Sequence, residues 1–273
     1  MKKFSVNKGL AVAIKAARAA GKVMHDNWHL PKKIKQLDAH DIKLELDVRC
    51  QKLIEKILRR SFPEIPLLGE EGDSGNVNAA YRWVVDPIDG TVNYFYGMPH
   101  AAVSIALQRA AKSGLNPAVT GSRQNYEALL GVIYDPFTDE LWTATLGGKT
   151  KLNGRPVCCS KHSRVNDAII AMGFSKSKEN MEKSLPHLNR LARKAKKIRI
   201  MGSAALELAY VASGRLDVYV ERTINLWDIA AGGLMVECSG GEMYLKLLPD
   251  GRLRMCADNG KLRRKLKLDD LLS

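Results

Sequence analysis

Nine residues constrain this chain more than any other stretch: Trp83-Val84-Val85-Asp86-Pro87-Ile88-Asp89-Gly90-Thr91. An apolar strand runs straight into two carboxylates three positions apart, with a proline between them and a glycine behind them. Strand side chains alternate, so the spacing predicts a turn after Asp86 that folds Asp89 back beside it. Both carboxylates and a backbone carbonyl such as that of Ile88 then reach one point. Oxygen donors of this kind suit a hard cation, Mg²⁺ first among them. If the next segment opens a helix, the amides of Gly90 and Thr91 form an anion site beside that cation. The competing reading is a solvated Asp-Pro turn, as expected at Tyr134-Asp135-Pro136.

Two more acidic points accompany it. Leu67-Leu68-Gly69-Glu70-Glu71-Gly72 ends an apolar strand in paired carboxylates, and Leu226-Trp227-Asp228 puts an acid at the start of a helix rich in small residues. Alone, Asp228 reads as a helix cap and Glu70-Glu71 as a solvated pair.

Apolar periodicity predicts helices around Leu10 to Met24, capped by Asn7, and around Leu46 to Leu58, stopping near Ser61-Phe62-Pro63. Strands follow at Pro66 to Leu68, Trp83 to Val85, Val103 to Leu107, Leu130 to Tyr134 and Glu140 to Thr145. Arg109 to Asn125 reads as a long exposed connection. Beyond Gly147-Gly148 strand and helix alternate: a strand at Ala168 to Met172, a basic amphipathic helix over Arg190 to Arg199, a helix at Ala204 to Ala212, a strand at Leu216 to Val220 and a helix at Ile229 to Cys238. The expectation is one catalytic domain, 1–273, with lobes 1–147 and 148–273 around a cleft.

Composition removes several classes. Of 273 residues, 45% are hydrophobic and 26% charged, which excludes a disordered or low-complexity chain. Five scattered cysteines show no zinc-ligand spacing and read as reduced thiols. Lys8, Lys15 and Arg18 interrupt the apolar run after Met1-Lys2-Lys3, which argues against a signal peptide. The expected location is the cytoplasm. A net charge of +14 attracts anions, from phosphate esters to nucleic acid, but aromatic interleaving and nucleic-acid motifs are missing from the basic runs.

Taken together, Gly69-Glu70-Glu71, Asp86-Pro87-Ile88-Asp89-Gly90-Thr91-Val92-Asn93-Tyr94, Gly97-Met98-Pro99, Leu152-Asn153-Gly154, Arg199 to Ala205 and Trp227-Asp228 resemble the inositol monophosphatase family of Mg²⁺-dependent, lithium-sensitive sugar phosphatases. The resemblance implies a mixed α/β, layered α/β/α/β/α sandwich that assembles as a homodimer. It also implies two or three Mg²⁺ ions held by Glu70, Asp86, the Ile88 carbonyl, Asp89 and Asp228. In the same way Asp47 and Thr91 match the pair that activates a water, with Glu70 part of that catalytic group. Gly90 and Thr91 would hold the phosphate, Asp89 and Asp228 would border the substrate, and Gly202, Ser203, Ala204 and Glu221 would meet the alcohol. Where the family commonly has Asp-x-Val-Thr-x-x-Asp, this chain has Asp41-Ile42-Lys43-Leu44-Glu45-Leu46-Asp47, without the hydroxyl and with Lys43 and Glu45 added.

The implied reaction is hydrolysis of a phosphate monoester, with myo-inositol 1-phosphate as first substrate. Fructose 1,6-bisphosphate and histidinol phosphate are alternatives, since relatives hydrolyse them with the same centre. An alternative of another class is binding of RNA or a transcription complex through the basic surface, as in some bacterial members.

Overall fold

The first helix, α1 (Val6–Asp26), lays an alanine-rich stripe on the sheet beneath it. Ala13, Ala16, Ala17, Ala20 and Met24 are fully buried, whereas Leu10 and Ile14 are only partly so. Small side chains let the helix sit close, which moves the buried face away from the larger residues. Its cap is Ser5, whose hydroxyl accepts from Lys8 N at 3.3 Å, rather than Asn7, which lies inside the first turn. These coordinates are a computed structural model that describes residues 5–38, 41–111, 126–174 and 178–267.

A two-stranded hairpin follows, β1 (Ile34–Asp38) and β2 (Asp41–Leu44), leading into α2 (Glu45–Ser61). The hairpin is absent from the sequence reading because its strands are polar and lack a clean apolar alternation. Helix α2 ends where expected, with Phe62 N donating to Leu58 O ahead of Pro63.

A seven-stranded sheet comes next: β3 (Leu67–Gly69), β4 (Tyr81–Asp89), β5 (Ala102–Ala110), β6 (Tyr126–Asp135), β7 (Glu140–Thr145), β8 (Lys151–Leu152) and β9 (Arg155–Pro156), in that spatial order. A short helix, α3 (Thr91–Phe95), interrupts it after β4. Strands β5 and β6 extend until Ala110 pairs with Tyr126. The Arg109 to Asn125 connection therefore starts inside β5, and its residues 112–125 lie outside the described ones.

The second large sheet is mixed, in the order β11-β10-β12-β14-β13. Its strands are β10 (Ile169–Met172), β11 (Lys197–Arg199), β12 (Val218–Ile224), β13 (Glu242–Leu247) and β14 (Leu253–Asp258). Four helices accompany it: α4 (Lys178–Ala192), α5 (Ala204–Ala212), α6 (Leu226–Cys238) and α7 (Arg263–Leu266). The basic helix expected over Arg190 to Arg199 is not one element. Helix α4 stops at Ala192, and Lys197–Arg199 forms the edge strand β11, where Ile198 pairs with Ile170. A single apolar residue between polar ones serves an edge strand as well as a helix stripe, so periodicity over ten residues does not separate the two.

Three apolar clusters define five layers. One joins α1 and α2 to the seven-stranded sheet through Ile54, Trp83, Val85 and Val103. The central cluster packs α5 and α6 between both sheets, with Val84, Ala106 and Ile133 on one side and Ala171, Tyr219 and Ala257 on the other. The last joins the five-stranded sheet to α4 and α7 through Ile170, Leu191, Val218 and Leu266. The result is the layered α/β/α/β/α sandwich. Among the described residues no helix is long and apolar enough to cross a membrane.

Close packing in the central layer depends on missing side chains. A Cβ on Gly131 of β6 would come within 2.9 Å of Ala231 O and 3.0 Å of its Cα in α6. Gly131→Val is expected to destabilise the fold by about 1–3 kcal/mol through overpacking, read as a lower urea midpoint with an unchanged m-value.

Candidate metal and phosphate site

Strand β4 brings its two aspartates together without a turn. Asp86 pairs with Ser104 and Asp89 with Ala102, so β4 carries one residue more than β5 between those positions. Residues three apart in a regular strand lie on opposite faces, and the extra residue of a bulge restores them to the same face. Pro87 sits in the bulge, where no ladder hydrogen bond is asked of it. The expected turn after Asp86 is thus a bulge inside the strand. Ile88 sends its side chain to the α1/α2 layer, while the residue still lines the cleft on the other side.

Both carboxylates are anchored. Asp86 Oδ1 accepts from Ile88 N at 3.0 Å. Asp89 Oδ2 accepts from Ser203 Oγ at 2.5 Å and from Ala205 N at 2.7 Å, which makes it a cap for α5 delivered from the other sheet. Asp228 stands in the first turn of α6 and accepts from Asn225 N at 2.9 Å, the reciprocal half of a capping box. One carboxylate oxygen from each of Asp86, Asp89 and Asp228 lies within 4.8 Å of the others. The N-cap reading and the ligand reading of Asp228 are therefore compatible: one oxygen serves the helix, and the carboxyl still joins the cluster.

Glu70, directly after β3, lines the same cleft. Its neighbour Glu71 does not. Glu71 turns under the hairpin, where Lys35 Nζ (3.6 Å) and Lys43 Nζ (3.4 Å) hold its buried carboxylate. The paired acids of the sequence thus divide, one toward the site and one toward β1 and β2.

Asp47 is the third residue of α2 and lies outside the cleft lining. Leu44 occupies the cap position without a side-chain oxygen, and Leu44 N donates to Asp47 Oδ2 at 2.6 Å. Asp47 Oδ1 is 3.3 Å from Thr91 Oγ1, and that hydroxyl is 2.8 Å from Ile88 O. The pair expected from the resemblance is in contact, and Thr91 carries it to the cleft wall. Gly90 has φ +90°, and a Cβ there would meet His100 O at 2.9 Å and Gly202 O at 3.2 Å, so only glycine fits before α3.

The cleft has a volume of about 310 Å³ and is bordered by Gly90, Gly202, Ser203, Ala204 and Glu221 as well as the acids. Three residues missed by the sequence reading also shape it. Asn93 Nδ2 lies 2.9 Å from His100 O and 2.8 Å from Met201 O, joining the α3 segment to the loop before α5. Glu207 and Tyr219 form the wall beside Glu221. Glu207 was visible as the one charge in Ala204–Ala212, whereas Asn93 and Tyr219 gave no separate signal.

Electrostatics favour a cation here. Burial, then repulsion from Glu70 and Asp89, pushes Asp86 and Asp228 well above the usual carboxylate range. Burial likewise raises Asp47 to about 7, against the stabilising hydrogen bond from Leu44. Oxygen-only donors this close, each costly to ionise unaided, fit a hard divalent cation.

The inositol monophosphatase family model matches residues 5–246. A protein of Xylella fastidiosa described as Nus factor SuhB is 38% identical over 244 residues, covering 88% of this chain and 82% of the relative. The inositol-1-monophosphatase of Rhizobium meliloti is 37% identical over 203 residues, with 74% and 71% covered. Among solved structures, the extragenic suppressor protein suhB of Bartonella henselae superposes with a TM-score of 0.83 at 31% identity, covering 96% of this chain and 97% of that one. The inositol monophosphatase of Anabaena gives 0.80 at 31%, covering 95% and 94%. The chain is a phosphoric monoester hydrolase by fold and family: it belongs to the inositol monophosphatase family.

Two outcomes follow from the charges. Folded Asp47 keeps its proton to about pH 7 and an unfolded one releases it near 3.8, so the unfolded state binds fewer protons in that window and stability falls as pH rises through it. In chelator, the stability of Asp47→Asn relative to wild type is expected to rise between about pH 4 and 7, by on the order of a few kcal/mol, and then level off. Parallel curves would remove the charge argument. Asp86→Asn relieves repulsion in the same way: its Tm in chelator is expected above wild type, and Mg²⁺ is expected to raise it less.

Proposed function

We propose that this protein hydrolyses a phosphate monoester with Mg²⁺, and that its substrate is myo-inositol 1-phosphate or a closely similar polyol phosphate. The observation that carries this reading is the convergence of Asp86, Asp89 and Asp228 beside the Gly90-Thr91 backbone. Glu70, Asp86, the Ile88 carbonyl, Asp89 and Asp228 are the residues that would hold two or three Mg²⁺ ions. Bound there, Mg²⁺ supplies Lewis-acid charge that offsets the ester's own and makes water a better nucleophile. Asp47 and Thr91 orient the attacking water, and Asp47, joined to the cleft wall by the Thr91 hydroxyl, takes up the proton. The Gly90 and Thr91 amides hold the phosphoryl oxygens. Gly202, Ser203, Ala204 and Glu221 face the alcohol, where Glu221 accepts hydrogen bonds from hydroxyl groups.

We place the lobes 1–147 and 148–273 on either side of this cleft and take the working unit to be a cytoplasmic homodimer. The same centre would accept fructose 1,6-bisphosphate or histidinol phosphate if the alcohol side of the cleft admits them, so a panel of esters is the direct test. Inositol 1-phosphate is expected to give the highest kcat/KM, and faster turnover of fructose 1,6-bisphosphate would displace it. Chelation should abolish activity and Mg²⁺ restore it. Asp89→Asn should lower kcat/KM about a thousandfold, some 4 kcal/mol of transition-state stabilisation.

A second reading, binding of RNA or a transcription complex, has its own support. Relatives carry the name Nus factor SuhB, and two basic runs distant in sequence meet on this surface. Arg190 Nη1 donates to Leu266 O at 2.6 Å and Nη2 to Lys267 O at 3.1 Å, joining the end of α4 to the Lys261 to Lys267 segment. RNA affinity that is indifferent to sequence and collapses with salt would reduce this to bulk electrostatics.

A further inference from the structure

Helix α5 contains one charged residue, Glu207, and it is 1% exposed between the two sheets. Its Oε1 accepts from Met201 N at 3.2 Å, and its carboxyl is hydrogen-bonded to the Tyr219 hydroxyl. That hydroxyl also contacts Glu221 Oε2. Tyr219 and Glu221 are two apart on β12 and so share a face, and all three side chains border the cleft. Glu221 is confined from the far side as well: a Cβ on Gly173, just past β10, would overlap its Oε2.

Counting protons makes this cluster specific. A phenol has one hydrogen to donate, and here two carboxyl groups contact its oxygen. If both were ionised, one would face the phenol's lone pairs and the other carboxylate's charge inside a buried wall. The arrangement closes only if one carboxyl carries a proton. Glu207 is 1% exposed whereas Glu221 is only half-buried, so ionisation costs more at Glu207 and the proton belongs there; burial, then repulsion from Glu221, pushes Glu207 above the usual carboxylate range in the same sense.

We propose that Glu207 is a positioning residue for substrate choice: as a neutral acid it donates to Tyr219, which therefore donates to Glu221 and holds that carboxylate as an acceptor for neighbouring hydroxyls of a polyol ester. This rests on the reading that Glu221 meets the alcohol, and it extends that reading to a relay of three residues from α5 and β12. In this relay Glu207 acts through Tyr219 and Glu221. The relay favours alcohols presenting donors over aryl or simple alkyl leaving groups.

The test compares myo-inositol 1-phosphate with p-nitrophenyl phosphate, whose leaving group has no hydroxyl to offer Glu221, using Mg²⁺-loaded wild type, Glu207→Gln, Glu207→Leu and Tyr219→Phe. Glu207→Leu and Tyr219→Phe are expected to raise KM for the inositol ester about tenfold, the scale of one hydrogen bond to a charged group, with kcat little changed and the aryl ester unaffected. Glu207→Gln, whose amide N–H can replace the acid O–H, is expected to stay within about twofold of wild type. In difference spectra taken above the Asp47 titration near 7, the infrared C=O stretch of a neutral carboxylic acid should be present in wild type and Tyr219→Phe and lost from Glu207→Gln. Glutamine as damaging as leucine, equal losses on both esters, or no acid band would each overturn the proposal. If leucine does not fold, Tyr219→Phe and Glu207→Gln decide alone, the first by its KM split and the second by its rescue. Failure of the substrate reading shows elsewhere, as wild-type enzyme that turns over the aryl ester but not the inositol ester.

Discussion

Asp89 holds the molecule's working parts in register. Its side chain leaves one sheet, crosses to the amino end of α5 and accepts hydrogen bonds from both Ser203 Oγ and Ala205 N. The helix thereby gains a cap, and the seven-stranded sheet gains a fixed position relative to the central helical layer. Asn93 adds a second tie, from α3 to the carbonyl of Met201. Cleft geometry follows from these contacts: β4 and α3 form one wall, the start of α5 the opposite one, and α6 closes the end with Asp228.

The same anchoring has an electrostatic cost. Carboxylates gathered within a few ångströms and withdrawn from water repel one another, and neither helix caps nor backbone donors fully offset that. Bound cationic charge would offset such a cost, in keeping with a family of metal-dependent phosphatases. Along the wall of the cleft the chain meets like charges differently. Glu207 and Glu221 are separated by a phenol, and one proton kept on Glu207 leaves a single charge for the pair. Glu71 takes a third course, neutralised by two lysines of the hairpin.

Much of this was legible in the residues. The Asp86 to Thr91 run announced oxygen donors next to a helix start, and long apolar stretches such as Ala204–Ala212 and Glu140–Thr145 declared their elements with correct limits. The misreadings share a cause: they lie where local pattern is ambiguous and a distant partner decides. Ile198 fits a helical stripe as well as an edge strand, and pairing with Ile170 makes it strand. The polar strands of the β1–β2 hairpin carry little apolar signal, so local pattern gives no element there. Asn7 and Ser5 are both able to cap α1, and only backbone direction chooses Ser5.

By itself the sequence determined the chemistry available: carboxylate oxygen donors in a fixed order, a glycine before a helix and a surplus of basic residues. It did so because ligand type and turn chemistry are properties of single residues and their near neighbours. Tertiary structure alone decided which acids share a site. Asp86 and Asp89 face the same way because pairing with β5 forces a bulge, Glu70 and Glu71 part because the hairpin supplies two lysines, and Glu207 meets Glu221 because α5 packs on β12. Each of these depends on a partner far away along the chain, and no local spacing encodes where that partner will be.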